Sequence, residues 1–330
     1  LSRVVWGRTP EEPADQAAEF DRIFSALGLV VSRGETWAVK LNLTYPRPVA
    51  GIVTSALTAE GLAIWGRERG VRLTFVESDG GNNSHKASDA LRDCGFVEIA
   101  KKYDGAVHSL TDDAWIPTEM SVGGKDFKLE LSEWMLARPF DRLVDMPVIK
   151  THIFTSVSLG IKNLWGCIPN PLRMYNHHLL DYGIVGLAKT LHPDLLILDG
   201  RTALDGNGPI NGTPIPAKTL VVADSVGAGD WVTTCAMGFE PARIRHLQLA
   251  LAEGVVPDPR EVTVVGEQPS TLPGDFRMER TLYNWATIVA NWSPRLQKLV
   301  YHSPISKYLY AAVTPFRKGT PAEAVKRISY

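Results

Sequence analysis

Cysteine is almost absent: Cys94, Cys167 and Cys235 are the only three in 330 residues, and no two of them form a C-x-x-C pair. Three isolated thiols exclude a disulfide framework, a thiolate zinc site and an iron-sulfur cluster, and they fit a reducing cytoplasm. An excess of one charge is also missing. The 35 lysines and arginines nearly cancel the 36 aspartates and glutamates, leaving a formal charge of -1, so the basic footprint of a nucleic-acid binder is lacking. No apolar run approaches the roughly 20 residues of a membrane span, and Leu1-Ser2-Arg3 lacks the basic-then-apolar layout of a secretion signal. The P-loop pattern, G-x-G-x-x-G and H-E-x-x-H are all absent. With 45% hydrophobic and 22% charged residues, the chain has enough apolar side chain for one large core or two fused lobes.

What the sequence does contain is an α/β pattern, in which short apolar runs alternate with helical periodicity. Residues 36–43 (TWAVKLNL), 72–77 (RLTFVE), 142–149 (RLVDMPVI), 194–198 (DLLIL) and 220–223 (LVVA) read as strands, and 261–265 as a last one. Helices are expected over 55–69, 88–103, 157–165, 178–191 and 241–253. Alternation across 119–135 around Gly123-Gly124 predicts an inserted β-hairpin at a sheet edge. The predicted fold class is therefore α/β, with a mostly parallel sheet, flanking helices, the hairpin and a helical C-terminal arm. Three parts follow: residues 1–35 packed on the core, a catalytic core over 36–270, and an aromatic and basic extension over 271–330. The extension interleaves Trp285, Trp292, Tyr301, Tyr308, Tyr310 and Phe316 with Arg295, Lys298, Lys307, Arg317 and Lys318. Such a segment packs on its own domain, joins a second subunit or lies on a membrane surface.

In an open α/β sheet, ligands bind beyond the carboxyl ends of the strands. Polar residues gather at those ends: Lys40 and Asn42, Asp79 and Gly80, Lys150 and His152, Asp199, and Asp224 leading to Asp230. One such aspartate is ordinary turn or cap chemistry; five polar strand ends predict a shared cleft. Lys150-Thr151-His152 and Lys162-Asn163 add cations and an imidazole within one apolar stretch, suited to holding a carboxylate or phosphate and moving a proton beside it. The alternative is lysine stems that carry their charges out to solvent. Of the adjacent His177 and His178, only one can face a cleft from a regular helix. His152, His178 and Asp199 together form a candidate divalent-metal set. Gly206 and Gly208, in the loop Asp205-Gly206-Asn207-Gly208-Pro209, offer backbone amides to an anion, or simply turn the chain.

The run Asp224-Ser225-Val226-Gly227-Ala228-Gly229-Asp230 resembles the D-x-x-G-A-G-D signature of ribokinase-like sugar kinases. That resemblance implies Asp230 as a base and Gly227 to Gly229 as an anion hole, although Trp231-Val232-Thr233-Thr234-Cys235 departs from the small residues expected next. A longer resemblance rests on Val39-Lys40-Leu41-Asn42-Leu43, Glu77-Ser78-Asp79-Gly80, Met146-Pro147-Val148-Ile149-Lys150-Thr151-His152 and Ile161-Lys162-Asn163-Leu164-Trp165-Gly166. It continues through Leu198-Asp199-Gly200, Gly206-Asn207-Gly208-Pro209 and Ala223-Asp224-Ser225-Val226. In that order these blocks are similar to the family known as domain of unknown function 362. Many of its members carry a ferredoxin-like cysteine module, which three scattered cysteines exclude here.

The expected function is an enzyme acting on a small anionic metabolite. Lys150, His152, Lys162 and Asp230 are the expected catalytic residues, and Lys40, Asn42, Asp79, Gly80, Asn163, Gly206 and Gly208 the expected substrate-binding ones. Proton abstraction of the isomerase, racemase or lyase type needs such groups, with or without a divalent metal. The alternatives are phosphoryl transfer from Asp230 and a non-catalytic metal or anion carrier. Expected partners are the metabolite and, through the arm, a second copy or a membrane surface.

Overall fold

β-Branched and aromatic residues fill the runs that become strands, and glycine or proline stops most of them. The computed structural model describes residues 2–266, 271–274, 276–278, 280–306 and 308–309. Its strands are β1 (Arg3–Arg8), β2 (Thr36–Lys40), β3 (Arg72–Glu77), β4 (Ala106–Ser109), β5 (Trp115–Val122), β6 (Lys125–Ser132) and β7 (Arg142–Asp145). They continue with β8 (Val148–His152), β9 (Ser156–Ser158), β10 (Leu195–Asp205), β11 (Thr213–Ile215), β12 (Thr219–Ala223) and β13 (Thr263–Val265). The helices are α1 (Pro13–Leu27), α2 (Ala56–Arg69), α3 (Ala87–Asp93), α4 (Phe96–Lys102), α5 (Glu133–Ala137) and α6 (Gly160–Asn163). After them come α7 (Leu180–Leu191), α8 (Val226–Ala236), α9 (Arg245–Ala252), α10 (Leu282–Ala290) and α11 (Pro294–His302).

The main sheet runs β13-β1-β12-β10-β7-β2-β3-β4, with β8 and β11 also paired to β10, and β9 to β8. It is mostly parallel. β2 pairs in parallel with β3 and β7, β3 with β4, and β10 with β7 and β8, whereas β12 runs antiparallel to β1 and β10. Helices cover both faces. On one, α1 and α2 bury Phe20, Phe24 and Trp65 against Trp37 of β2, with the Phe24 and Trp65 ring centroids 4.6 Å apart. On the other, Ile184 and Leu187 of α7, Val232 of α8 and Leu247 of α9 pack on Leu196, Leu198 and Val221. The N-terminal segment supplies a strand to this sheet, since β1 sits between β12 and β13.

Several elements differ from the sequence expectation, among them the strand over 194–198, which runs on to Asp205 as β10 and leaves Asp199 inside it. The single helix over 88–103 is two, α3 and α4, because Gly95 takes φ 86° between them. The strand over 142–149 breaks into β7 and β8 at Met146-Pro147, where proline offers no ladder donor. The first part of the helix over 157–165 is instead strand β9, leaving only the short α6 before a 3-10 turn. The hairpin forms as expected but makes a separate two-stranded sheet, β5 with β6, packed on α7. The arm is helical, as α10 and α11; Lys307, Tyr310, Phe316, Arg317 and Lys318 lie outside the described residues. No helix among the described residues is long and apolar enough to cross a membrane.

The hairpin turn offers a clean test. Gly123 and Gly124 both have positive φ, 57° and 71°, as a two-residue type I′ turn requires, and a Cβ on Gly124 would meet nothing within 4 Å. Gly124→Ala is therefore expected to cost about 1–2 kcal/mol, the left-handed penalty of an L-residue, read as a lower urea midpoint. An unchanged midpoint would show that the turn relaxes freely.

Candidate functional site

Parallel register brings charges together. Lys40 of β2 pairs in register with Val76 of β3 on one side and Asp145 of β7 on the other, so Lys40, Glu77 and Asp145 end three adjacent strands at one edge. Lys40 Nζ lies 2.7 Å from Glu77 Oε1, and the two side chains are 1% and 5% exposed. The pair is saturated from the backbone: Glu77 accepts the amides of Leu43 and Ser78 at 2.9 and 3.0 Å, while Lys40 donates to the Leu41 carbonyl at 2.6 Å. Gly166 closes over it. A Cβ there would sit 2.7 Å from Lys40 Nζ and 3.0 Å from Glu77 Oε1, so only glycine lets the turn after α6 come this close.

Behind the pair runs a chain of side-chain amides. Asn163 Nδ2 donates to Asp145 Oδ1 at 2.7 Å, Asn42 Nδ2 donates to Asn163 Oδ1 at 2.8 Å, and Lys150 Nζ donates to Asn42 Oδ1 at 2.5 Å and to the Ile52 carbonyl at 2.8 Å. Each bond fixes the orientation of the next amide. Asp145 Oδ2 has no hydrogen-bond partner among the described residues, and complete burial pushes its carboxyl well above the usual aspartate range. Burial, with Lys162 nearby, pushes the Lys150 ammonium down to about 7.

In front of the pair lies a cavity of about 350 Å³. Lys162, Arg173, His152 and His177 line it opposite an apolar wall that includes Phe154, Trp165 and Ile210. Its positive groups are short of counter-charge. Arg173 donates to the Asp79 carbonyl at 2.8 Å and to the Ile168 and Asn170 carbonyls at 3.4 Å; Glu77 and Asp79 attract it from beyond, but no carboxylate forms an ion pair with it among the described residues. Lys162, on α6, has no acidic partner among the described residues. Burial, then Arg173 and Lys40, brings its ammonium down to about 7. The imidazoles stay neutral. Burial first and Lys162 second hold His152 well below 6.5, and its Nδ1 accepts the Phe154 amide at 3.2 Å, which leaves the ring proton on Nε2. His177 falls to about 3 for the same causes, with Asn291 hydrogen-bonded to its ring.

Several residues expected in the site stand elsewhere. Asp230 is fully buried in α8, and its two oxygens accept the Gly160 and Ile161 amides at 2.7 and 2.8 Å. It caps α6 and does not face the cavity, so neither the catalytic role nor the kinase-like base expected of it is available to this arrangement. Burial raises its carboxyl to about 7. Asp199 accepts the Ser55 amide at 2.7 Å and the Thr58 hydroxyl at 3.2 Å, holding the first turn of α2. The Asp79 side chain accepts the Ala87 amide and Lys86 Nζ at the start of α3, while its neighbour Gly80 does line the cavity. His178 Nδ1 bonds the Tyr175 carbonyl, so His152, His178 and Asp199 are not gathered into one liganding group, and no cluster of three such ligands occurs among the described residues. Gly206 and Gly208 are structural. The Gly206 carbonyl accepts the Thr151 hydroxyl at 3.1 Å, and a Cβ on Gly208 would lie 2.0 Å from the Thr151 carbonyl; Pro209 and Ile210 of that loop reach the cavity instead.

A family model described as a domain of unknown function, DUF362, matches residues 38–235. The chain belongs to that family. It is also similar to a thylakoid-associated protein of Synechocystis sp., 32% identical over 144 residues, a match that spans 41% of this chain and 44% of that protein.

The DUF362 region holds the ion pair, the amide chain and the four cavity groups, whereas β1, α1, β13 and the arm lie outside it. Site residues in the DUF362 chain to which the sequence assigned no role are Glu77, Arg173 and Trp165, and of the two adjacent histidines it is His177, not the expected His178, that lines the cavity. Glu77 carried a signal: a carboxylate at the end of an apolar strand, beside a strand ending in lysine. Arg173 carried none, because the loop that brings it to the cavity is irregular.

Lys150 and Lys162 are separable by stability. Lys150→Met strips a donor from Asn42 Oδ1 and the Ile52 carbonyl, and is expected to cost roughly 2 kcal/mol or more. Lys162→Met removes a cation with no acidic partner among the described residues, and is expected to leave stability unchanged or raise it by about 1 kcal/mol. The native Lys162 pKa lies below its unfolded value of 10.5. The unfolded chain therefore binds more protons between about 7 and 10.5, wild-type stability recovers as pH rises through that window, and the advantage of Lys162→Met shrinks there. Urea titrations at pH 6.5 and 9.5 decide it; equal costs for both variants would remove the distinction.

Proposed function

We propose that this DUF362 chain is an enzyme that binds a small carboxylate or phosphate in the 350 Å³ cavity and moves a proton on it. The observation that carries the reading is Lys162, a cavity ammonium without a carboxylate partner among the described residues, near Arg173, whose hydrogen bonds among those residues go to carbonyls. Two such cations favour an anion, since burial makes an uncompensated charge costly until the ligand supplies the opposite one. Arg173 grips the anion. Lys162, with its pKa near 7, exchanges a proton with the bound molecule in either direction, as general acid–base chemistry at neutral pH requires. His152 donates from Nε2 to a developing oxyanion. Asn42 and Asn163, locked by Lys150 and Asp145, hold the floor of the cavity. The reaction class this suits is isomerase, racemase or lyase chemistry at a carbon next to a carboxylate or carbonyl. The imidazoles of His152 and His177 beside two cations are a poor metal set, so the anion is the ligand this reading assigns. A cytoplasmic location belongs to the same proposal, supported by three cysteines that are all free thiols.

The test is thermal denaturation with inorganic phosphate and a panel of small carboxylates against chloride at equal ionic strength. A ligand at 100-fold excess over its Kd adds about 2.7 kcal/mol. Binding should weaken as pH rises through about 7, where Lys162 loses its charge, and Lys162→Met should abolish both the binding and that pH dependence. Anions that bind are then incubated in deuterium oxide. Deuterium uptake at the adjacent carbon supports catalysis; tight binding without uptake in any of them would reduce the chain to a carrier, and no binding at all would end the proposal.

A further inference from the structure

The hydrogen bonds that tie the described part of the C-terminal arm to the core run along one side of it. Asn284 Nδ2 donates to Asn207 Oδ1 at 2.8 Å, Arg280 Nε to the Ile153 carbonyl at 3.1 Å and Gln297 Nε2 to the Met174 carbonyl at 2.5 Å, so its inner side is spent on loops that wall the cavity. The outer side is different. Leu282, Trp285 and Val289 form one stripe of α10 at helical spacing, 68%, 48% and 39% exposed, and Trp292 follows just past its end at 65%. Eight of the fourteen large exposed hydrophobic residues among those described fall between 282 and 309. Soluble surfaces scatter such side chains singly, and a run of them marks an interaction surface.

The charge around the stripe selects its occupant. Six of the 35 basic residues and none of the 36 acidic ones lie between positions 280 and 322. The arm is thus strongly positive on a chain whose overall charge is -1. A second copy placed on the stripe across a two-fold axis would set one positive arm against another, a like-charge contact that costs affinity. An anionic lipid surface instead offers both parts of the match. Tryptophan and leucine enter the boundary between headgroup and acyl chain, while lysine and arginine reach the phosphates along their stems. α10 itself, LYNWATIVA, carries no charge to oppose burial of its outer side. We infer that the arm docks the protein on the surface of an anionic membrane, with Leu282, Trp285, Val289 and Trp292 entering the interface and Arg295 and Lys298 on the phosphates.

The full 330-residue chain is mixed with vesicles of phosphatidylcholine alone or with added phosphatidylglycerol, and binding is read by flotation. Binding to the phosphatidylglycerol vesicles should be about tenfold tighter or more and should fall as salt rises. Trp285→Ser with Trp292→Ser should weaken it on the anionic vesicles. Arg295→Gln with Lys298→Gln should remove the preference for anionic lipid. Both pairs are exposed, so each variant should keep the wild-type circular dichroism and Tm, and the charge pair keeps the test open should the tryptophan pair unfold. Equal binding to both vesicles, or none, overturns the inference. So does a dimer in sedimentation equilibrium that Trp285→Ser with Trp292→Ser dissociates, which would give the stripe to a second copy.

Discussion

Two charges buried at the ends of neighbouring parallel strands are the constraint around which the rest of this molecule is arranged. Lys40 and Glu77 cannot be taken from water unless they meet each other and their remaining hydrogen-bonding capacity is filled. The register of β2 against β3 achieves the first, and the amides of Leu43 and Ser78 with the Leu41 carbonyl achieve the second. Removing either partner would strand the other charge, at a cost of about 3–5 kcal/mol. The pair therefore dictates its neighbours: a glycine at 166 to let the chain pass, and a turn after α6 that sets Lys162 and Trp165 around the cavity.

Three lysines near the same strand ends have three different fates, decided by what surrounds each ammonium. Lys40 meets a carboxylate, Lys150 meets an amide oxygen and a carbonyl, and Lys162 meets the cavity. The first two lock the frame. The third is held in place by the backbone of α6, whose first turn is capped by Asp230 of the neighbouring α8. A carboxylate that looked like a base is thus part of the support for the lysine that faces the cavity.

The same exchange of roles runs through three aspartates that the sequence offers at strand ends, although Asp199 lies inside β10 and Asp230 inside α8. Asp79, Asp199 and Asp230 each spend their oxygens on the opening turn of a helix, α3, α2 and α6. A strand end in an α/β sheet lies next to a helix start, so the position that suits a ligand group also suits a cap. Sequence alone offers the same aspartate for both. The blocks around Lys40, His152 and Lys162-Asn163 were legible because cations and amides interrupt apolar runs where burial is otherwise unbroken. His177 and His178 were ambiguous by one residue, and the 3-10 turn over Arg173–Leu179 decided which ring faces inward.

Periodicity, breaker residues and the order of the polar blocks were sufficient for an α/β chain with a hairpin and a mostly parallel sheet, and pointed to the strand ends where the cavity lies, because those signals are local and repeat along the chain. Tertiary structure alone decided that Lys162 faces the cavity while Lys150 lies behind it, that Arg173 and Glu77 join them, and that the aspartates are caps. Those outcomes depend on which partners arrive from residues scores of positions away, and a hydrogen bond between distant segments leaves no period in the sequence to read.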